Sequence, residues 1–114
     1  MTYALKVLAA ADSDIDKMYA WLAKQSLQGA ERWLRTYLNA LHELRTDPLR
    51  HALASERALA RIGIRECFFG TAHGNTYRIL FSLKSSDIHV LRIAVPVSRP
   101  CAIGIFRPTE RAGA

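Results

Sequence analysis

Five basic side chains carry the clearest chemical signal in this sequence: Arg65, Arg78, Lys84, Arg92 and Arg99. All fall in its second half. Residues 58–114 hold eight Lys or Arg against three acids, whereas the first 57 residues balance eight bases with seven acids, so the net charge of +6 belongs mostly to one side of the molecule. Guanidinium and ammonium groups gathered in this way hold a polyanion or an acidic protein surface. Arg78 stands out among them because Ile79, Leu80 and Phe81 follow it directly. A cation in such a strand carries a desolvation cost unless a counter-charge or an exposed basic surface accounts for it. Arg65 is followed by Glu66, and pairing with that or another acid would make it structural.

Other chemistries find less footing. His42, His51, His73 and His89 are scattered, and none makes ligand spacing with another His, Cys or carboxylate, so no metal is expected. His73 lies in the loop next to Tyr77 and Arg78, where a solvated histidine is the plainer reading. Tyr77 shares the apolar side of its strand and reads as a packed aromatic rather than an acid. Ser, His and Asp occur without a nucleophile elbow or a glycine-rich phosphate loop. Cys67 and Cys101 form neither a metal motif nor a disulfide framework, which predicts reduced thiols. With no run near the ~20 apolar residues of a membrane helix and no leader-like start, a soluble cytoplasmic protein is expected.

The elements that must position these cations are legible from periodicity. Tyr77–Val95 reads as a β-hairpin turning at Ser85, Ser86 and Asp87, residues whose short polar side chains bond to nearby backbone. On its first strand Tyr77, Ile79, Phe81 and Leu83 share one face, and Arg78, Leu80, Ser82 and Lys84 the other. On its second strand His89, Leu91, Ile93 and Val95 are expected inward and Ile88, Val90, Arg92 and Ala94 outward. Arg78 and Arg92 then lie on one sheet surface.

Upstream, Tyr3–Leu8 alternates as a half-buried strand. Ile15, Met18, Tyr19 and Leu22 predict a helix over about residues 10–25, with Asp12 or Ser13 as cap and Asp12, Asp14 and Asp16 near the positive end of its dipole. Ser26–Gly29 reads as a turn. A second helix carries Ala30, Trp33, Leu34, Tyr37, Leu38, Leu41 and Leu44 in one stripe and stops at Asp47-Pro48, because the residue before proline is pushed out of the helical region. Residues 49–61 lack a clean stripe, leaving helix over 52–60 or an irregular connection with a short helical turn. Ile62–Phe69 returns to strand, ended by Gly70, and Thr71–Thr76 turns into the hairpin. The expected fold is one α+β domain over residues 1–114. A small, mainly antiparallel four-stranded sheet carries an N-terminal helical hairpin on one face (β-α-α-β-β-β), and residues 100–114 form an irregular tail.

Gly63-Ile64-Arg65-Glu66, then Gly70, then Tyr77-Arg78-Ile79-Leu80-Phe81 and Val90-Leu91-Arg92-Ile93 resemble the RelE/ParE superfamily of bacterial type II toxins. Ala11-x-x-Asp14-Ile15, Ala30-x-x-Trp33 and Pro48 extend the resemblance to about residues 3–99. It implies a growth-inhibiting toxin neutralised by a cognate antitoxin, without a cofactor. RelE-like members are ribosome-dependent mRNA endonucleases that use lysines, arginines and a C-terminal Tyr or His around the scissile phosphate; ParE-like members poison DNA gyrase. Arg78 matches the arginine of the Tyr-Arg motif and Arg99 lies near the arginine after the last strand, so the resemblance implies phosphate neutralisation by both if the chain is a nuclease. The chain departs from the RelE pattern twice. Arg65 and Glu66 stand where paired lysines are expected, and no Tyr or His follows Arg99, since Phe106 transfers no proton. These departures and the long helical hairpin lean toward gyrase. The alternatives are the mRNA endonuclease, or a non-toxic module that binds an antitoxin or DNA, which Pro96 and Pro100 around Arg99 bring to mind.

Overall fold

The computed structural model describes residues 3–70 and 76–95. Strand β1 (Ala4–Val7) leads into helices α1 (Ala9–Gln25) and α2 (Leu27–Thr46). A 3-10 turn (Pro48–Arg50) and helix α3 (Arg57–Arg61) follow, then β2 (Arg65–Phe69), β3 (Tyr77–Lys84) and β4 (Asp87–Ala94). Residues 71–75 of the expected turn, Arg99, Cys101 and the tail lie outside the described residues. The sheet order is β1-β4-β3-β2. Two of its pairings are antiparallel and β1 runs parallel to β4, so this α+β fold has a mixed sheet.

The two helices meet at a single residue. Helix α1 starts one turn before the expected caps, at Leu8, with no side-chain cap, because the alanine run at 9–11 continues the helix unaided. Ser26 alone separates α1 from α2, and its hydroxyl accepts the Gly29 N–H at 2.9 Å. Residues 27–29, expected to be turn, are therefore the first turn of α2. Gly29 leaves room for this cap, since a Cβ there would stand 3.2 Å from the Ser26 oxygen. The residue before Pro48, Asp47, leaves the helical region and ends α2.

One sheet face is covered by this helical hairpin. Ala11 and Ile15 from α1 and Trp33, Tyr37, Ala40 and Leu44 from α2 pack with Cys67, Phe69, Tyr77, Ile79, Phe81, Ile88, Val90 and Ile93. Trp33 and Tyr37 meet Phe69 and Tyr77 at ring-centroid distances of 5.2–5.7 Å, in tilted, edge-on and stacked geometries favoured by the ring quadrupoles. Leu38, expected in the stripe, is exposed, and Ala40, between Tyr37 and Leu44 at helical spacing, is buried.

The hairpin of β3 and β4 corrects the expected phase of its second strand. Phe81 pairs with Val90 and Leu80 with Arg92, so Leu91 is an extra residue in the ladder. This bulge turns the pleat over by one residue. Ile88 and Val90 face the core before it, where His89 and Leu91 were expected, and Ile93 faces the core after it as expected. Facing residues lie on the same side, so Arg78, opposite Ala94, and Arg92, opposite Leu80, share the outer face. Ser85 takes the left-handed conformation, φ 58°, in the tight connection.

Strand β2 begins at Arg65 rather than Ile62. Gly63, at φ 84°, makes the preceding turn, and residues 52–54 form a further short edge: the Ala54 N–H donates to Ile64 and the Glu66 N–H to Ala52. Of the two readings open for residues 49–61, the structure takes short turns of helix within an irregular connection.

Two stability outcomes follow. Leu44→Ala, at a fully buried site, lowers unfolding free energy by about 2–5 kcal/mol, and Ser26→Ala by about 1 kcal/mol. Urea denaturation followed by circular dichroism measures both.

Candidate functional site

The outer sheet face, turned away from α1 and α2, presents Glu66 and Phe68 from β2, Arg78 and Lys84 from β3, and His89 and Arg92 from β4. Arg78 is 7% exposed, in the middle of it. Its Nη1 donates to Glu66 Oε1 at 2.8 Å and to Glu56 Oε1 at 2.8 Å, and its Nη2 donates to Glu56 Oε2. Two carboxylates thus hold one guanidinium. Of the two resolutions for a cation in this strand, internal counter-charge is the one present. The Arg78 Nε is buried without a hydrogen-bond partner among the described residues.

These partners come from different places. Glu66 sits on the neighbouring strand with a side chain 11% exposed; Glu56 comes from the connection just before α3, and its side chain is 41% exposed. The hydrogen bonds from Arg78 outweigh burial and hold the Glu56 carboxyl at about 2. Those bonds, first to Glu56 and then to Glu66, raise the Arg78 pKa further above its ordinary value.

Arg92 lies at the exposed edge of the same face. Its Nε and Nη2 donate to the two Asp14 oxygens at 2.8 and 2.9 Å. Asp14 Oδ2 also accepts the Ile93 backbone N–H at 3.0 Å, on the part of β4 that extends past its pairing with β1. Burial pushes the Asp14 carboxyl up, but the bonds from Arg92 and Ile93 prevail and hold it below its ordinary value.

Arg65 does not join them. Its register partner Phe81 is a core residue, so Arg65 points to the helix-covered side, where Nη1 donates to the His51 carbonyl at 2.6 Å. The imidazole of His51 packs edge-on to Phe81 at 6.1 Å, and burial lowers its pKa. Lys84 is exposed at the turn end of β3, opposite Asp87. Arg99 lies outside the described residues. Arg78, Lys84 and Arg92 therefore share this face, with Lys84 at the opposite end of β3 from Arg78 and the two arginines already paired with acids. Among the described residues no three of His, Cys, Asp and Glu converge to hold a metal. Cys67 is buried, which pushes its thiol up to about 11 and leaves it protonated at neutral pH.

Sequence reasoning misses the roles of all three anchoring acids: Glu66 reads as a partner of Arg65 and not of Arg78. Glu56 falls in the stretch without periodicity, and Asp14 reads as a partner of the helix dipole. Because the folded-state pKa of each of these last two is below its unfolded value, their stabilising contribution is complete above the ordinary carboxylate range and is lost as pH falls toward about 2 for Glu56. Thermal melts between pH 6 and pH 2 are expected to fall on acidification, and Glu56→Gln flattens that slope; an unchanged slope contradicts the assignment.

The arrangement has relatives. The family model of the ParE toxin of type II toxin-antitoxin systems, parDE, matches residues 5–94. Among solved structures, a chain from the chromosomal ParDE toxin-antitoxin system of P. aeruginosa is 18% identical, with a TM-score of 0.62 over 82% of this chain and 96% of that one. A chain from the RelBE2 toxin-antitoxin complex of Mycobacterium tuberculosis is 19% identical, with a TM-score of 0.51 over 84% of this chain and 100% of that one. No curated protein matches significantly. The two structural likenesses establish a shared fold. The family match extends from β1 to the end of β4, and on that ground the chain belongs to the ParE toxin family of type II toxin-antitoxin systems.

Proposed function

We propose that the chain is a growth-inhibiting toxin that acts by docking on DNA gyrase and not by cutting RNA, and that a cognate antitoxin neutralises it in the cytoplasm. The observation that carries this reading is the state of the sheet cations. A metal-free nuclease needs several free donors converging on one phosphate, where charge develops during transesterification. Here the guanidiniums of Arg78 and Arg92 are bound to carboxylates, and Arg65 points to the other side. Cys67 and Tyr77 are buried and shifted toward their protonated forms by that burial, so neither supplies a base. What the outer face offers is exposed charge at Lys84, at the turn end, and at Arg92, with Arg78 masked. Such a surface orients a partner more than it reacts with one.

An antitoxin partner is supported by the solved toxin-antitoxin assemblies that share this fold and by the net charge of +6, which draws an acidic chain. Within the described residues no helix is long and apolar enough to cross a membrane.

Expression without an antitoxin is expected to arrest bacterial growth. The purified protein inhibits gyrase on supercoiled plasmid and leaves the message on programmed ribosomes intact; cleaved message with unaffected gyrase overturns the proposal. Lys84→Ala weakens gyrase inhibition by roughly three- to tenfold, more strongly at low salt, while circular dichroism shows the fold retained.

A further inference from the structure

Arg78 holds one carboxylate more than neutrality requires. Glu66 supplies a fixed counter-charge from the adjacent strand, nearly buried, with its Oε1 2.8 Å from Nη1. Glu56 adds a second negative charge across both terminal nitrogens, leaving the three groups with a net charge of −1. The two acids differ in how they are held. Glu66 is built into the sheet, whereas Glu56, whose carbonyl accepts the Ala60 N–H at the start of α3, reaches in from a connection whose backbone bonds to Ile64 and Glu66 run through Ala54 and Ala52, before it. Glu56 is also the partner that solvent reaches. The guanidinium is not locked by a full set of bonds, because its buried Nε finds no partner among the described residues. Beside it, Phe68 stands opposite Arg78 in the ladder and is 54% exposed, an apolar surface at the margin of the charged group.

The geometry points to the Nη1–Nη2 edge of Arg78 as a carboxylate-binding site that Glu56 fills from within the chain and that an acidic side chain of a protein partner takes over. A paired guanidinium edge matches the two oxygens of a planar carboxylate. Glu66 remains in place, so the incoming group replaces Glu56 charge for charge, and the place it takes is one already shaped to a planar carboxylate on both terminal nitrogens. Phe68 then meets an apolar neighbour of the incoming acid, which describes a partner segment that mixes acidic and apolar residues. The inference deepens the reading of the chain as a toxin held by an acidic partner, and names one contact of that pairing.

The chain labelled with nitrogen-15 is titrated with sodium acetate and separately with inorganic phosphate, following the Arg78 Nε–H signal in the unchanged protein, Glu56→Ala and Glu56→Gln. With the internal competitor removed, acetate moves the signal at about tenfold lower concentration in both variants, and phosphate requires more than acetate. Equal titrations in all three proteins show that Glu56 does not compete and overturn the inference. Phosphate acting below acetate assigns the site to a nucleic-acid backbone instead, and overturns it as well. Loss of the native circular dichroism spectrum in both variants makes Glu56 a fixed structural member, with the same consequence. None of these titrations uses gyrase, ribosomes or an antitoxin, so a chain inactive on gyrase still reports whether Arg78 binds a carboxylate.

Discussion

A guanidinium placed in the middle of a sheet must be compensated where it stands, and the outer half of this molecule is arranged around that demand. β3 is forced into the centre of the domain by its other face, where Tyr77, Ile79 and Phe81 lie under the helical hairpin. Arg78 alternates with them and so emerges on the opposite side, nearly buried and without water to solvate it. An unpaired charge in that position costs several kcal/mol. Glu66 answers it from β2, and Glu56 brings the connection before α3 across the same face.

The same logic governs the far edge of the sheet. β1 is four residues long and pairs only with the beginning of β4, so the end of β4 needs another hydrogen-bond acceptor. Asp14, near the start of α1, takes the Ile93 N–H and the Arg92 side chain together. Each outward arginine thus ties a helical or connecting segment to the sheet that the helices cover from the other side. In the free chain both outward arginines are thereby engaged by its own carboxylates.

Much of the fold can be read from residue order, for reasons that also explain the failures. The stripe of Trp33, Tyr37 and Leu44 has the period of a helix and the run around Ile79 the period of a strand, and burial on one side enforces both. The inward phase of β4 could not be read, because Ile88, Val90, Leu91 and Ile93 supply apolar residues in either phase and the bulge at Leu91 uses both. Leu38 falls outside the buried stripe because Trp33, Tyr37, Ala40 and Leu44 recur at intervals of three and four, and position 38 lies about 100° round the helix from Tyr37. The site was half visible. Arg78 and Arg92 are identifiable as outward cations, but their acids lie 12, 22 and 78 residues away in sequence, on the neighbouring strand, in a stretch without periodicity and in a helix start. No local pattern marks contacts of that range.

That Arg78 is spent on internal carboxylates is tested most directly by a double-mutant cycle between Arg78 and Glu66 read in unfolding free energy. Arg78→Leu, Glu66→Leu and the double variant are expected to show a favourable coupling on the order of 1.5–3 kcal/mol, the double variant recovering part of the loss of either single one. Coupling indistinguishable from zero, with both single variants near the stability of the unchanged protein, would mean that the guanidinium is free for an outside ligand and would contradict its role as an internal tie.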